Sequence, residues 1–263
     1  MAAPAAQAAA PAGCFDRSAP STYEESRIDT PALPGGVQVS SALVEAGGFT
    51  SYVERLCFNA GIVEDAFGRH LTASAPRRAD VIMTISQGNR GTMNIEPWAG
   101  AWRGGSPDNN NEGRAEPIPP AAGWPQPSPQ PEFIETTLPY QAMISAGTTP
   151  WPVRLNPQIC EWANGDRPTG PVTCTNNGPT PGSQAQSGGG GNYLSNESMY
   201  RSNRLRLALG ATDVPGGHLH ISAPVYPADP LVLIDQAFAA DRAQTIEQTM
   251  ALVKAAGAAV AGS

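Results

Sequence analysis

The chain has 263 residues, enough for one large domain, so size permits an enzyme. Its 28 glycines and 27 prolines predict a folded core with long loops rather than a wholly disordered chain. With 16 Lys and Arg against 23 Asp and Glu, the net charge is −7 and no basic cluster interrupts it, which argues against binding nucleic acid or anionic lipid. No stretch approaches the ~20 apolar residues of a membrane span, so a soluble protein is expected, with a peptide or small molecule as its partner.

In chain order, residues 1–34 read as a flexible or loosely tethered segment and residues 35–263 as a single domain. The first 13 residues are nearly all Ala, Pro and Gln and lack the charged and apolar regions of an export signal. They fit what remains after such a signal is removed. Cys14, Cys57, Cys160 and Cys174 show no C-x-x-C spacing, which argues against zinc ribbons and redox motifs. An even number of widely spaced cysteines suits two disulfides, expected as Cys14 with Cys57 and Cys160 with Cys174, and hence a secreted or otherwise extracytoplasmic protein. A reduced cytosolic form is the alternative.

Residues 52–58 alternate like a strand, and residues 62–71 carry apolar residues at helical spacing. Residues 79–86 read as a strand buried on both faces. Strand, helix and strand within this length predict a βαβ unit and a parallel sheet. Residues 98–131, rich in Gly, Pro and Asn, read as a long loop carrying Trp98, Trp102 and Trp124. Residues 148–191 form a second such region. Beyond it, helices are expected over 197–209 and 245–260, with a strand over 218–225.

Several segments taken together resemble the pyroglutamyl peptidase (pyrrolidone carboxyl peptidase) family. They are Ile85-Ser86-Gln87-Gly88-Asn89-Arg90 followed by Glu96, then Pro107-Asp108-Asn109 and Glu116-Pro117-Ile118. Thr136-Thr137-Leu138-Pro139 with Ala142-Met143, Asn192-Tyr193-Leu194-Ser195-Asn196 with Met199-Tyr200, and Gly217-His218-Leu219-His220-Ile221 follow in order. The resemblance implies an α/β fold, a three-layer α/β/α sandwich around a twisted, mostly parallel sheet, here with long Gly/Pro-rich insertions. It implies removal of N-terminal pyroglutamate from peptides by a Cys-His-Glu triad, without a cofactor. Carried over, the acid falls on Glu96, the base on His220 and the nucleophile on Ser195, where the family has cysteine. Gln87, Arg90, Leu194 and Arg103 are the expected substrate-binding positions. The family's Phe-x-Pro-Phe-Gly segment is absent, so pyroglutamate specificity does not carry over. The insertions would disturb the family's tetramer contacts, which favours a monomer or dimer.

Ser195, His220 and Glu96 are chemically adequate for a triad of nucleophile, base and orienting carboxylate. Glu96 is expected to have a depressed pKa beside a charged His220. A helix from Asn196 would aim its free N–H groups at an oxyanion near Ser195. Alternatively, Ser195 only caps that helix. His218 and His220 should share one strand face, and a His-x-His pair could take zinc with His70 or a carboxylate, although no metal site is expected. Asn196-Glu197-Ser198 is a formal glycosylation sequon whose place beside Ser195 argues against occupancy. Three functions remain open: a serine-nucleophile hydrolase, a non-catalytic binding protein on the same scaffold, and a domain whose Trp-rich loops contact protein or glycan through an exposed aromatic patch.

Overall fold

A computed structural model describes residues 39–44, 49–54, 62–75, 78–106, 113–229, 231–232 and 234–261. The 1–34 segment, Cys14, Cys57 and the Pro107-Asp108-Asn109 motif lie outside the described residues. The elements run β1 (Val39–Val44), β2 (Phe49–Glu54), α1 (Ile62–Leu71), β3 (Ile82–Gln87), β4 (Met93–Glu96), β5 (Trp98–Gly100), β6 (Trp102–Arg103) and β7 (Glu116–Pro117). Then come β8 (Phe133–Glu135), α2 (Tyr140–Ser145), β9 (Val153–Leu155), β10 (Ile159–Trp162), β11 (Val172–Thr175), β12 (Gln184–Ser187), α3 (Leu194–Ala208), β13 (Gly216–Ile221) and α4 (Gln236–Ala261). No helix among the described residues is long and apolar enough to cross a membrane.

The fold is α/β, with a central four-stranded sheet in the order β3-β13-β4-β9. The pairings of β13 with β3 and of β4 with β9 are parallel, and that of β13 with β4 is antiparallel. Alternation sends successive side chains of β13 to opposite faces. Leu219 joins Met93 and Ile95 of β4 in a core with Met143 of α2 and with Leu252 and Ala256 of α4. On the other face, Ile82 of β3 packs with Leu71 of α1 and Leu205 of α3. Helices therefore cover both faces, and His218 and His220 turn toward the α3 side.

The predicted βαβ unit does not form. β2 pairs antiparallel with β1 in a separate two-stranded sheet, and the parallel neighbour of β3 is β13, far along the chain. Nor is β3 buried on both faces: among the described residues it is an edge strand, and Ile85 remains 36% exposed. The Gly/Pro-rich 148–191 region is not a loop. It holds β9 and an antiparallel sheet in the order β11-β10-β12, stapled by the Cys160–Cys174 disulfide across directly paired positions.

The tryptophans of residues 98–131 mostly pack inward rather than forming an exposed patch. Trp102 is buried, edge-on to Trp162 at 5.1 Å, and Trp124 Nε1 donates to Asp65 Oδ1 at 2.9 Å.

Helix α3 is buried although its sequence is rich in charge. Arg201 Nη1 donates to Glu64 Oε1 at 2.9 Å, Arg201 also pairs with Glu197 at 2.7 Å, and Arg204 donates to Glu64 and to the Ile118 and Pro119 carbonyls. Burial works to lower the Arg201 pKa, but Glu64 and Glu197 outweigh it, so the guanidinium stays charged. The paired charges fix α3, and with it Ser195, against α1.

Candidate active site

Three chain segments meet at the carboxyl ends of β3 and β13, the usual ligand side of parallel strands. The first contact is between His220, near the end of β13, and Glu96, the last residue of β4: His220 Nδ1 lies 2.6 Å from Glu96 Oε1. Glu96 has no exposure. Its other oxygen, Oε2, accepts from Asn156 Nδ2 at 3.0 Å, and the same Asn156 nitrogen donates to the Gly189 carbonyl at 2.5 Å. Contrary to the expected depression, the Glu96 pKa is raised. Burial is the dominant cause, and the hydrogen bonds from His220 and Asn156 only oppose it.

The turn before α3 brings the third segment in. A Cβ at Gly189 would land on Glu96 Oε2 and 2.7 Å from the Asn156 carbonyl, and one at Gly190 would lie 3.3 Å from the Ser195 Cβ. Glycine is what lets this backbone approach the carboxyl group so closely. Glu96 and Ser195 thus flank two consecutive residues.

Ser195 is the second residue of α3, half-buried; Tyr193 is the N-cap, so the capping role considered for Ser195 does not apply. Its Oγ lies 2.7 Å from Ser86 Oγ. Ser86 in turn is paired in register with His220 across β3 and β13 and lies 3.0 Å from His218 Nε2. His220 and Glu96 are therefore in direct contact, and Ser195 joins their corner through Ser86.

The other sequence-derived positions are distributed differently. Leu194 opens α3 immediately before Ser195 and is half-buried. Gln87 is exposed, and its Oε1 accepts from the Tyr226 hydroxyl at 2.7 Å; strand alternation places it on the face opposite Ser86. Arg90 ties the end of β3 to α4 through Asp241 at 2.6 Å and the Ala223 carbonyl at 3.1 Å. Arg103 is held by Glu116 at 2.6 Å and lies 3.6 Å from Glu197, with its side chain 11% exposed. These three side chains are engaged in internal contacts.

The zinc alternative meets occupied ligands: His218 has Thr84 on Nδ1 and Ser86 on Nε2, and His220 has Glu96 on Nδ1. No group of three His, Cys, Asp or Glu among the described residues could hold a metal ion. Asn196 is no glycosylation acceptor. It is 1% exposed, accepts from the Gly100 and Gly188 N–H groups and donates to the Gly100 and Trp102 carbonyls.

Asn156, Thr84 and Ser86 escaped the sequence reading. Asn156 carries no motif. For the other two, the signal was a Thr-x-Ser alternation on one strand to match His-x-His on another.

Residues 40–128 and 156–225 match the family "PA0049, C-terminal domain", and the chain belongs to that family. It is similar to the uncharacterized protein PA0049 of Pseudomonas aeruginosa, with 27% identity across 78% of this chain and 50% of the other; the chain spans about half the length of that relative. Among solved structures it is similar to pyrrolidone carboxyl peptidase from Thermococcus litoralis (14% identity, 67% of this chain and 65% of that one, TM-score 0.43) and to that from Pyrococcus furiosus (17%, 76% of both chains, 0.44). Pyroglutamyl peptidase I from Bacillus amyloliquefaciens is similar at 16% identity over 76% of this chain and 71% of that one, with a TM-score of 0.44.

Proposed function

We propose that this chain is an extracytoplasmic hydrolase of the acyl-transfer type, with Ser195 as nucleophile, His220 as base and Glu96 as the carboxylate that orients and stabilises the base. The observation that carries the reading is the 2.6 Å contact of His220 Nδ1 with Glu96, which leaves Nε2 of His220 as the acceptor at a corner that Ser195 shares through Ser86. Ser195 Oγ attacks the carbonyl carbon of an amide while its proton passes to His220 Nε2. The first-turn N–H groups of α3, beside Ser195, are the donors for the oxyanion in this reading. His220 then protonates the leaving amine, and the acyl-enzyme is hydrolysed by water with the same base.

The substrate class proposed is a peptide or small amide, including one with an N-terminal pyroglutamyl group; no cofactor takes part. A monomer or dimer is the proposed assembly. The Cys160–Cys174 disulfide supports an oxidising compartment.

The hydrogen bond of Ser195 with Ser86 favours a second reading, in which the site binds a peptide end without turnover. Turnover of a pyroglutamyl-anilide by the wild type and by Ser195→Cys separates them. Activity in the wild type supports the serine hydrolase. Activity only in Ser195→Cys supports a silenced nucleophile in an intact pocket, and activity in neither removes pyroglutamate from the substrate class.

A further inference from the structure

The proposed triad leaves Thr84, Ser86 and His218 unused in the same corner. Strand pairing put them there: Thr84 and Ser86 on β3 stand opposite His218 and His220 on β13, so all four side chains share one sheet face below the start of α3. Thr84 Oγ1 lies 2.7 Å from His218 Nδ1, and Ser86 Oγ lies 3.0 Å from His218 Nε2 and 2.7 Å from Ser195 Oγ. His218 has no exposure.

The chain of contacts has a polarity. A neutral imidazole offers one donor and one acceptor nitrogen. The Thr84 hydroxyl reaches either His218 Nδ1 at 2.7 Å or the Gly217 carbonyl at 3.4 Å, and only the first is a good O–H distance. With Thr84 donating to Nδ1, the His218 proton sits on Nε2 and is donated to Ser86 Oγ. The Ser86 proton is then donated to Ser195 Oγ, and the Ser195 proton is left for His220. The opposite polarity would have His218 collect a proton from Ser195. That cation would be fully buried, with its ring 4.6 Å from that of His220, and both burial and this neighbour hold the His218 pKa well below its ordinary value.

We infer that Thr84, His218 and Ser86 form a one-way donor chain ending on Ser195 Oγ, which makes Ser86 and His218 positioning residues for the nucleophile. The inference rests on the proposed role of Ser195. Ser86 fixes the Ser195 rotamer with its proton toward His220. When water attacks the acyl-enzyme and the acyl C–Oγ bond breaks, the electron pair returns to Oγ. Ser86 then donates to that oxygen until His220 gives it a proton.

Two readouts on the full chain test this. The first is the rate at which a fluorophosphonate probe labels Ser195 across pH 5–9, in the wild type, Ser86→Ala and Ser86→Thr. Loss of the positioning donor is expected to slow labelling on the order of 10- to 100-fold in Ser86→Ala with the pH inflection unmoved, and the hydroxyl of Ser86→Thr is expected to restore most of it. Equal rates in the wild type and Ser86→Ala overturn the inference. The second is ¹⁵N NMR of the His218 ring in the wild type. A neutral ring protonated on Nε2 throughout supports the chain, and a proton on Nδ1 overturns it. A wild type that is not labelled contradicts the proposed function, and the NMR signature then decides the chain by itself.

Discussion

Glu96 and His220 meet at 2.6 Å, Oε1 to Nδ1, where the carboxyl group has no contact with solvent. Two demands compete at this point. Burial favours the protonated acid, whereas a triad needs the carboxylate, held ionised by the His220 and Asn156 hydrogen bonds.

That competition has a pH signature. The folded-state pKa of Glu96 lies above its ordinary 4.5, so its contribution to stability is complete below that value and is lost as pH rises through the folded value. Glu96→Gln keeps the shape and removes the titration. Its melting temperature is expected to gain on the wild type as pH rises from about 4 to 8, while Ser195 labelling falls on the order of 10²- to 10⁴-fold. Calorimetry and a labelling time course check the two halves separately.

His218 has the opposite sign. Its folded pKa is depressed, so its contribution is present above the ordinary 6.5 and is lost as pH falls toward the folded value. Between pH 7 and about 5, His218→Gln is expected to lose less stability than the wild type. The difference in urea midpoints between the two proteins across this range measures the contribution of His218 together with its coupling to His220.

Much of this corner could be read from the sequence because its pieces are local. The helix over Ile62–Leu71, the turn into α3 and the strand carrying both histidines show their spacing within a few residues. Long-range partnerships were not legible: nothing near Ser86 announces that β13 will lie beside it, and nothing near β2 announces that it will pair with β1 instead of β3. The strands β9 to β12 are only three or four residues long, too short to show alternation among the surrounding Gly and Pro. Nothing in the sequence around Arg201 and Arg204 announces Glu64 of α1, the carboxylate that pairs with both in the interior.

Asn196 is the side chain on which the turn depends. Its amide serves two buried N–H groups and two carbonyls of the β5, β6 and Gly188 backbone. Asn196→Ala removes four hydrogen bonds from this buried backbone, although the Gly188 N–H keeps the Gly191 carbonyl at 3.0 Å, and is expected to cost about 3 kcal/mol. Urea denaturation measures the loss, and expression in a glycosylating host should add no sugar mass at this position.

Cys160 and Cys174 close a loop with a sequence separation of 14 across paired positions of β10 and β11. Converting both to serine is expected to lower stability by about 2–3 kcal/mol through the freer unfolded chain. Cys160 pairs in register with Ser187, just before the glycine turn, but Asn156 and Asn196 hold the turn itself, so labelling of Ser195 is expected to persist at temperatures where the variant is folded.

The most direct measurement is mass-spectrometric mapping of the residue modified by a fluorophosphonate probe in the wild type, Ser195→Ala and His220→Ala. One adduct on Ser195, absent from Ser195→Ala and formed at least 100-fold more slowly in His220→Ala, is the expected result. An adduct on another residue, or labelling of Ser195 that ignores the loss of His220, would contradict a nucleophile activated by the His220–Glu96 pair.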